Sequence, residues 1–594
     1  MKHTKLPRSL AIAIALFLTI SVQTLFCQSA PQPQAPADDG AAASTSATPS
    51  SGAPASGAPA SFDQVIDRTV EREHAFLSQM KQLHPLVETY LQNLRNDKDQ
   101  GTIPASDVYF LGRLDMTGGA AGDRLFDAPT TSGLGKRMLS KFDNMYSMKF
   151  LPLGFAQMVI VDEDFQHKYY DFTYVRREFL GEVRCIVMDV VPKKGVHGGR
   201  FLGRVWIEDQ DYNIVRFNGT YTPHPRNGYY LHFDSWRQNL RPGLWLPSQI
   251  YSEESDVKSR IGQNLYYKAQ TRLWGYDLKG FSRNSEFTEI TVDAPQAVQD
   301  RSEKAQDASP IDAQREWERQ AENNVLDRLQ RIGLVAPEGE MDKVLQTVVN
   351  NVLVTNNLDI QPEIRCRVLL TTPLEAFSIG HTIVMSRGLI DVLPDEASLA
   401  MILTHELAHI VLGHRTDTRL SFNDRLLFPD DRTFQRLDFA RDRSEEEAAD
   451  KKAVELLSNS PYKDKLGNAG LFLKAMHARA PELKNLISPH LGDRLLKGDA
   501  IRMSSLMTNS PQFEPQKIDQ LAALPLGGRV KVNPWSDQLE LIKTKPASLS
   551  SAAEKMPFEV TPFYPFLTRY GTTSSKAVSA AAPEKSTATA PPVQ

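Results

Sequence analysis

The stretch His405-Glu406-Leu407-Ala408-His409 is the one whose reading decides the fold. It lies in an almost wholly apolar run, from Glu396 to about Leu412, that reads as a single helix. Pro394-Asp395, with Glu396 in the first turn, marks its start and Gly413 its end. Histidines four residues apart stack on one helical face, so ring nitrogens of both can reach one metal ion. Glu406 stands beside them, where its carboxylate can hold a water instead of ligating. Three ionisable groups in a helix buried on most sides need partners, and a metal supplies them at once. That is the residue pattern of a zinc hydrolase.

A catalytic zinc takes a third protein ligand and leaves the fourth position open. Downstream, Ser444-Glu445-Glu446-Glu447-Ala448-Ala449-Asp450 opens a second helix, with Ser444 and Glu447 at capping-box spacing. Glu446 and Asp450 lie one turn apart on one face, and the small Ala449 and Ala453 allow close approach to the first helix. Glu446 is therefore assigned as third ligand, and Asp450 as acceptor of a ligating histidine's N–H. An acidic run can also be a solvated helix start complementing the dipole. Its spacing behind an HExxH helix favours the metal. His414 completes an HExxHxxxxH string, but Glu446 is the better third ligand and His414 is read as non-ligating.

From Asn324 to about Met507 the chain resembles the HtpX and CAAX prenyl protease family of zinc metallopeptidases, especially its soluble periplasmic BepA-like branch. The resemblance is carried by Ala376-Phe377, by Ile383-Val384-Met385-Ser386-Arg387-Gly388-Leu389-Ile390, by His405 to His409 and by Glu446 to Asp450. It implies a mainly helical gluzincin-type domain with His405, His409 and Glu446 as zinc ligands, Glu406 as catalytic base and Asp450 outside the ligand shell. Two places depart from the pattern. Glu375 stands where the family usually has Asn, and Ile379-Gly380-His381 where it has a Pro-Gly-Gly turn. Ser488-Pro489-His490, with Arg494, stands where the family carries His-Pro and an Arg six residues after the His. Arg494 or His490 is the expected oxyanion stabiliser.

At 594 residues the chain is too long for one core, and its net charge of −4 gives no electrostatic case for nucleic acid. Residues 1–29 read as a signal peptide, with Lys2, Lys5 and Arg8 ahead of a short apolar core and small residues at the cleavage positions. Export to the periplasm is expected, without lipidation at Cys27 because Phe26 precedes it; membrane association stays open. Residues 30–61 form a Pro/Ala/Ser tether. The remaining boundaries are an N-terminal domain at 62–292, a linker at 293–312, the peptidase domain at 313–510, a C-terminal extension at 511–571 and a low-complexity tail at 572–594. After cleavage only Cys185 and Cys366 would remain; they fall in strand-like runs where packing is the expected role, and two cysteines build no disulfide framework.

The N-terminal domain reads as helical from Phe62 to Leu94, changing near Val108 to strands separated by turns. Stretches such as Phe201 to Ile207 and Gly243 to Pro247 faintly resemble the half-barrel sheets of LolA-like lipoprotein carriers. Such a sheet holds a lipid or partner, or is closed by its own helix. Ahead of the metal helix, Thr382 to Met385 is expected as an edge strand to which an extended peptide adds. Arg415 to Arg443 is a lid or a solvated connector, and Phe558 to Tyr570 a strap packed on the domain.

The fold class expected is thus α+β: a helical metallopeptidase domain behind a helix and antiparallel sheet. The expected function is that of an exported zinc endopeptidase acting on protein or peptide substrates, with unfolded or misassembled outer-membrane and other envelope proteins as targets. The alternative is a chaperone-like or lipid-binding envelope factor with a latent or structural metal site.

Overall fold

The computed structural model describes residues 61–98, 101–117, 126–127, 158–195, 199–222, 231–258, 264–278, 310–414, 439–487, 491–494, 496–497, 500–514, 526, 530–533, 538–541 and 567–570. The expected signal peptide, most of both linkers, most of the lid segment, most of the C-terminal extension and the tail lie outside them. The described residues belong to one compact unit, mixed α+β as expected. Among the described residues no helix is long and apolar enough to cross a membrane.

The chain enters through α1 (Phe62–Met80), whose N-cap Ser61 accepts a hydrogen bond from Gln64 N. Strands follow: β1 (Leu86–Asp97), β2 (Gly101–Leu114), β3 (Phe126–Asp127), β4 (Tyr170–Leu180), β5 (Val183–Pro192), β6 (Arg200–Glu208), β7 (Ile214–Thr222), β8 (Phe233–Arg241), β9 (Leu244–Lys258) and β10 (Asn264–Trp274). They form one antiparallel sheet in the order β3-β2-β1-β10-β9-β8-β7-β6-β5-β4. The expected helix from Phe62 to Leu94 is therefore corrected. It ends at Met80, and Leu86 to Leu94 is strand, paired with β2 on one side and β10 on the other.

One face of this sheet buries Val65, Ile66, Phe76 and Met80 of α1 against Phe201, Phe217, Phe233 and Leu246. Of the two roles left open for the apolar face, the one in which its own helix covers it is seen here. Glu73 of α1 pairs bidentately with Arg237 of β8 at 2.7 Å for each oxygen, with both side chains buried. The opposite face buries Trp206, Trp236 and Trp245, and Leu567 from the far end of the chain packs among them. Leu567 O accepts from Glu182 N, and Arg569 Nη2 lies 3.2 Å from Glu208 Oε2. The described part of the expected strap thus lies on the N-terminal sheet. Cys185 and Cys366 are buried in strands, where burial first and nearby carboxylates second push the thiols up to about 12.

The C-terminal part begins with α2 (Pro310–Arg331) and α3 (Glu340–Thr355), then β11 (Arg365–Leu369), β12 (Glu375–Ile379) and β13 (Thr382–Ser386). Short α4 (Arg387–Val392) precedes α5 (Glu396–Val411), α6 (Arg443–Ser458), α7 (Leu466–Arg479), α8 (Lys484–Ile487), β14 (Asp493–Arg494) and α9 (Ser504–Thr508). The small sheet has the order β11-β13-β12-β14, with β11 and β13 parallel. The expectation of an edge strand at Thr382 to Met385 is corrected here: β13 is interior, flanked by β11 and β12, and all five of its residues are buried. The β12–β13 hairpin turns through Gly380-His381, with Gly380 at φ 54°, a left-handed conformation that favours glycine.

Candidate metal centre

Helix α5 runs where the sequence places it, with Asp395 as N-cap accepting from Ser398 N at 2.8 Å. Every residue from Ala397 to His409 is buried, so the HExxH groups sit at 3%, 1% and 0% exposure for His405, Glu406 and His409. Helix α6 crosses close by, because Ala449 and Ala453 are fully buried and offer no bulk. Its cap differs from the expected Ser444–Glu447 box. Asp442 is the N-cap, accepting from Ser444 N and Glu445 N, while Glu447 accepts from Arg443 Nε at 2.8 Å. Aspartate two residues earlier takes the orphan amides and leaves Glu447 on the surface.

His405, His409 and Glu446 are brought together, each offering one ligand atom within 4.8 Å of the others. The two Nε2 atoms face each other at 3.2 Å. Glu446 Oε2 lies 3.3 Å from His405 Nε2 and its Oε1 3.8 Å from His409 Nε2. Both Glu446 oxygens are buried; Oε1 has no hydrogen-bond partner among the described residues, while Oε2 faces the Arg502 guanidinium at 2.6 Å. Two imidazole nitrogens and one carboxylate, all within 4.8 Å of one another, are the donor set that suits Zn²⁺. Asp450 Oδ1 stands 3.0 Å from His405 Nδ1, and its Oδ2 accepts from Met503 N at 3.0 Å.

Arg502, which the sequence reading did not single out, completes the site. Its Nη2 lies 2.6 Å from Glu446 Oε2, its Nη1 donates to His405 Nε2 at 3.1 Å, and Nη1 stands 4.0 Å from Glu406 Oε1. Met503, at φ 53°, is in the left-handed region directly after it. Arg494, the expected cation, lies in β14 with its backbone paired to Glu375, and His490 is outside the described residues. Arg502 carries no motif of its own. The available signal was an arginine just ahead of the apolar Met503, Leu506 and Met507.

The field at the site follows from these contacts. Burial and Arg502 push His405 down, but Asp450, Glu446 and Glu406 outweigh them and hold it up at about 9. His409 is pushed down to about 2, by burial first and then by the His405 ring. Burial raises Glu446, yet His405, Arg502 and His409 together hold it down at about 2, so it is charged. An apolar cleft beside Glu406 is walled by Ala376, Leu389, Met401, Ile402, Leu473 and Met503.

Among solved structures, a DUF1329 family protein from Desulfovibrio piger is similar over 35% of this chain and 92% of its own, at 12% identity and a TM-score of 0.17. No curated protein matches the chain significantly. Residues 340–429 match the model of peptidase family M48, a stretch that holds α3 to α5 and with them His405, Glu406 and His409, while Glu446 and Asp450 lie beyond it.

Proposed function

We propose that the protein is an exported zinc-dependent endopeptidase that hydrolyses peptide bonds in unfolded or misassembled envelope proteins. The observation that carries the chemistry is the convergence of His405, His409 and Glu446 with Glu406 buried on the same helix. Those three side chains would hold a zinc ion, which when bound would supply Lewis acidity. Glu406 is placed to take a proton from a water and return it to the leaving amine. Asp450 orients the His405 ring through Nδ1. Arg502, 4.0 Å from Glu406 Oε1, balances Glu446 and is placed to meet negative charge developing on the scissile carbonyl oxygen. The cleft beside Glu406 is narrow, with room for little more than a water molecule. Export rests on the sequence of residues 1–29, and envelope substrates on the resemblance to the BepA-like branch; residues 313–510 are taken as the peptidase domain.

The test pairs metal content with casein cleavage for wild type and Glu406→Gln. One zinc per chain in both, with cleavage reduced at least about 10³-fold in the variant, is the expected outcome. Equal cleavage by both would remove Glu406 from the mechanism, and wild type without zinc would remove the metal.

A further inference from the structure

The last turn of α5 ends in a way that bears on the second histidine. Gly413 adopts φ 71°, its N–H bonds to Ile410 O at 3.0 Å, and His414 N–H bonds to His409 O at 3.0 Å. That pair of bonds is a Schellman closure, in which the residue after the glycine folds back onto the one five positions earlier. In most helices an apolar contact accompanies it. Here the two residues brought together are His409 and His414, with ring centroids 5.0 Å apart and Nδ1 to Nδ1 at 2.8 Å.

Only one of two hydrogen-bonded imidazole nitrogens carries the hydrogen. Which one it is follows from the other end of the His409 ring. Its Nε2 faces His405 Nε2 and Glu446 Oε1, and a ligating imidazole presents a lone pair there, which puts its single hydrogen on Nδ1. His409 therefore donates and His414 Nδ1 accepts.

We infer that His414 is a positioning residue for His409: it receives the Nδ1 hydrogen and so selects the tautomer that presents Nε2 to the metal. The two ligating histidines are thus held by unlike partners, His405 by the Asp450 carboxylate and His409 by a second imidazole. The acceptor is supplied by the helix's own termination, with Gly413 as the turn that delivers it. His414 is set by the same six-residue closure that ends the helix, so it needs no tertiary partner to arrive. This rests on the zinc site proposed above and adds to it a residue that ligates nothing.

The experiment is zinc affinity of the full chain by competition with a chromophoric chelator, for wild type, His414→Ala, His414→Leu and His414→Asn. Asn places Oδ1 where His has Nδ1 and retains an acceptor; Ala and Leu have none. All four keep the backbone bond from residue 414, and thermal unfolding of the metal-free chains checks that each is folded. Expected is a loss of about 10-fold or more in affinity for Ala and Leu, with Asn within about 3-fold of wild type. Ala or Leu binding as tightly as wild type would overturn the inference, as would Asn falling with Leu. Wild type without measurable zinc binding would instead overturn the metal site itself, so the two failures are told apart.

Discussion

At position 375 a glutamate is fully enclosed. Its Oε1 accepts from Thr371 Oγ1 at 2.8 Å and its Oε2 from Gly492 N at 3.1 Å, and burial, the largest influence, pushes it from 4.5 up to about 7. The folded chain therefore keeps a proton through a pH window in which the unfolded chain has lost it. Stability from this group is full below 4.5, falls as pH rises toward 7, and is level above, a change of about 3 kcal/mol. Glu375→Gln keeps one acceptor for Gly492 and gives a donor to Thr371, so its stability should not decline over that window and should exceed wild type at pH 8. Denaturant unfolding at pH 5, 6, 7 and 8 measures this; parallel curves for the two proteins would remove Glu375 as the source. The identity of this residue was legible as a departure from the resembling family, but its enclosure was not. Gly492, which closes it, is 117 residues away. Arg502 is the same kind of case: His405 and His409 meet through one helical turn, whereas Arg502 reaches His405 across 97 residues.

Among the elements, α5 was readable from both its ends because its signals are local: an N-cap aspartate, an apolar run and a terminating glycine. Gly413 is the point where that termination becomes functional. Its φ is 71° and open space lies where a Cβ would stand, so Gly413→Ala meets conformational strain and no clash, and a loss of about 1 kcal/mol is expected. The same change displaces His414, so zinc affinity should fall along with thermal stability; stability falling alone would separate the cap from the ligand. β1 shows the opposite situation. Leu83, Val87, Tyr90, Leu91 and Leu94 fit helical spacing, and no alternation marks a strand because Leu86 to Gln92 are all buried. The cause is that β1 is covered on two sides. Val87 and Leu91 belong to the core under α1, while Leu86 and Tyr90 pack with residues of the C-terminal part. Pro85 and the pairing with β2 and β10 decide the strand, and that pairing is non-local.

For the molecule as a whole, the large sheet is fastened by buried polar groups to the part that carries His405, His409 and Glu446. Glu88 of β1 accepts from Thr372 N at 2.6 Å and Thr372 Oγ1 at 2.8 Å, and Trp274 Nε1 donates to Gly333 O at 2.8 Å. Asp107 of β2 accepts from Asn485 N at 3.0 Å and Leu486 N at 2.7 Å, capping the start of α8. From there the connection continues inward. Leu486 O accepts from Leu374 N at 2.8 Å, Leu374 leads into β12, and Ala376 of β12 lines the cleft beside Glu406. A sheet that only shared a chain with the metal site would not bury carboxylates against it, since an unpaired buried amide or carboxylate is costly. Asp107→Ala strands the two amide donors at α8 and is expected to lower stability by about 2–3 kcal/mol. It should also lower kcat/KM on casein several-fold while zinc stoichiometry stays at the wild-type value, because no ligand is touched. Unchanged kcat/KM in a destabilised variant would make the junction purely structural; a loss of zinc would show that the sheet supports α5 and α6 and not only the β12 side of the cleft.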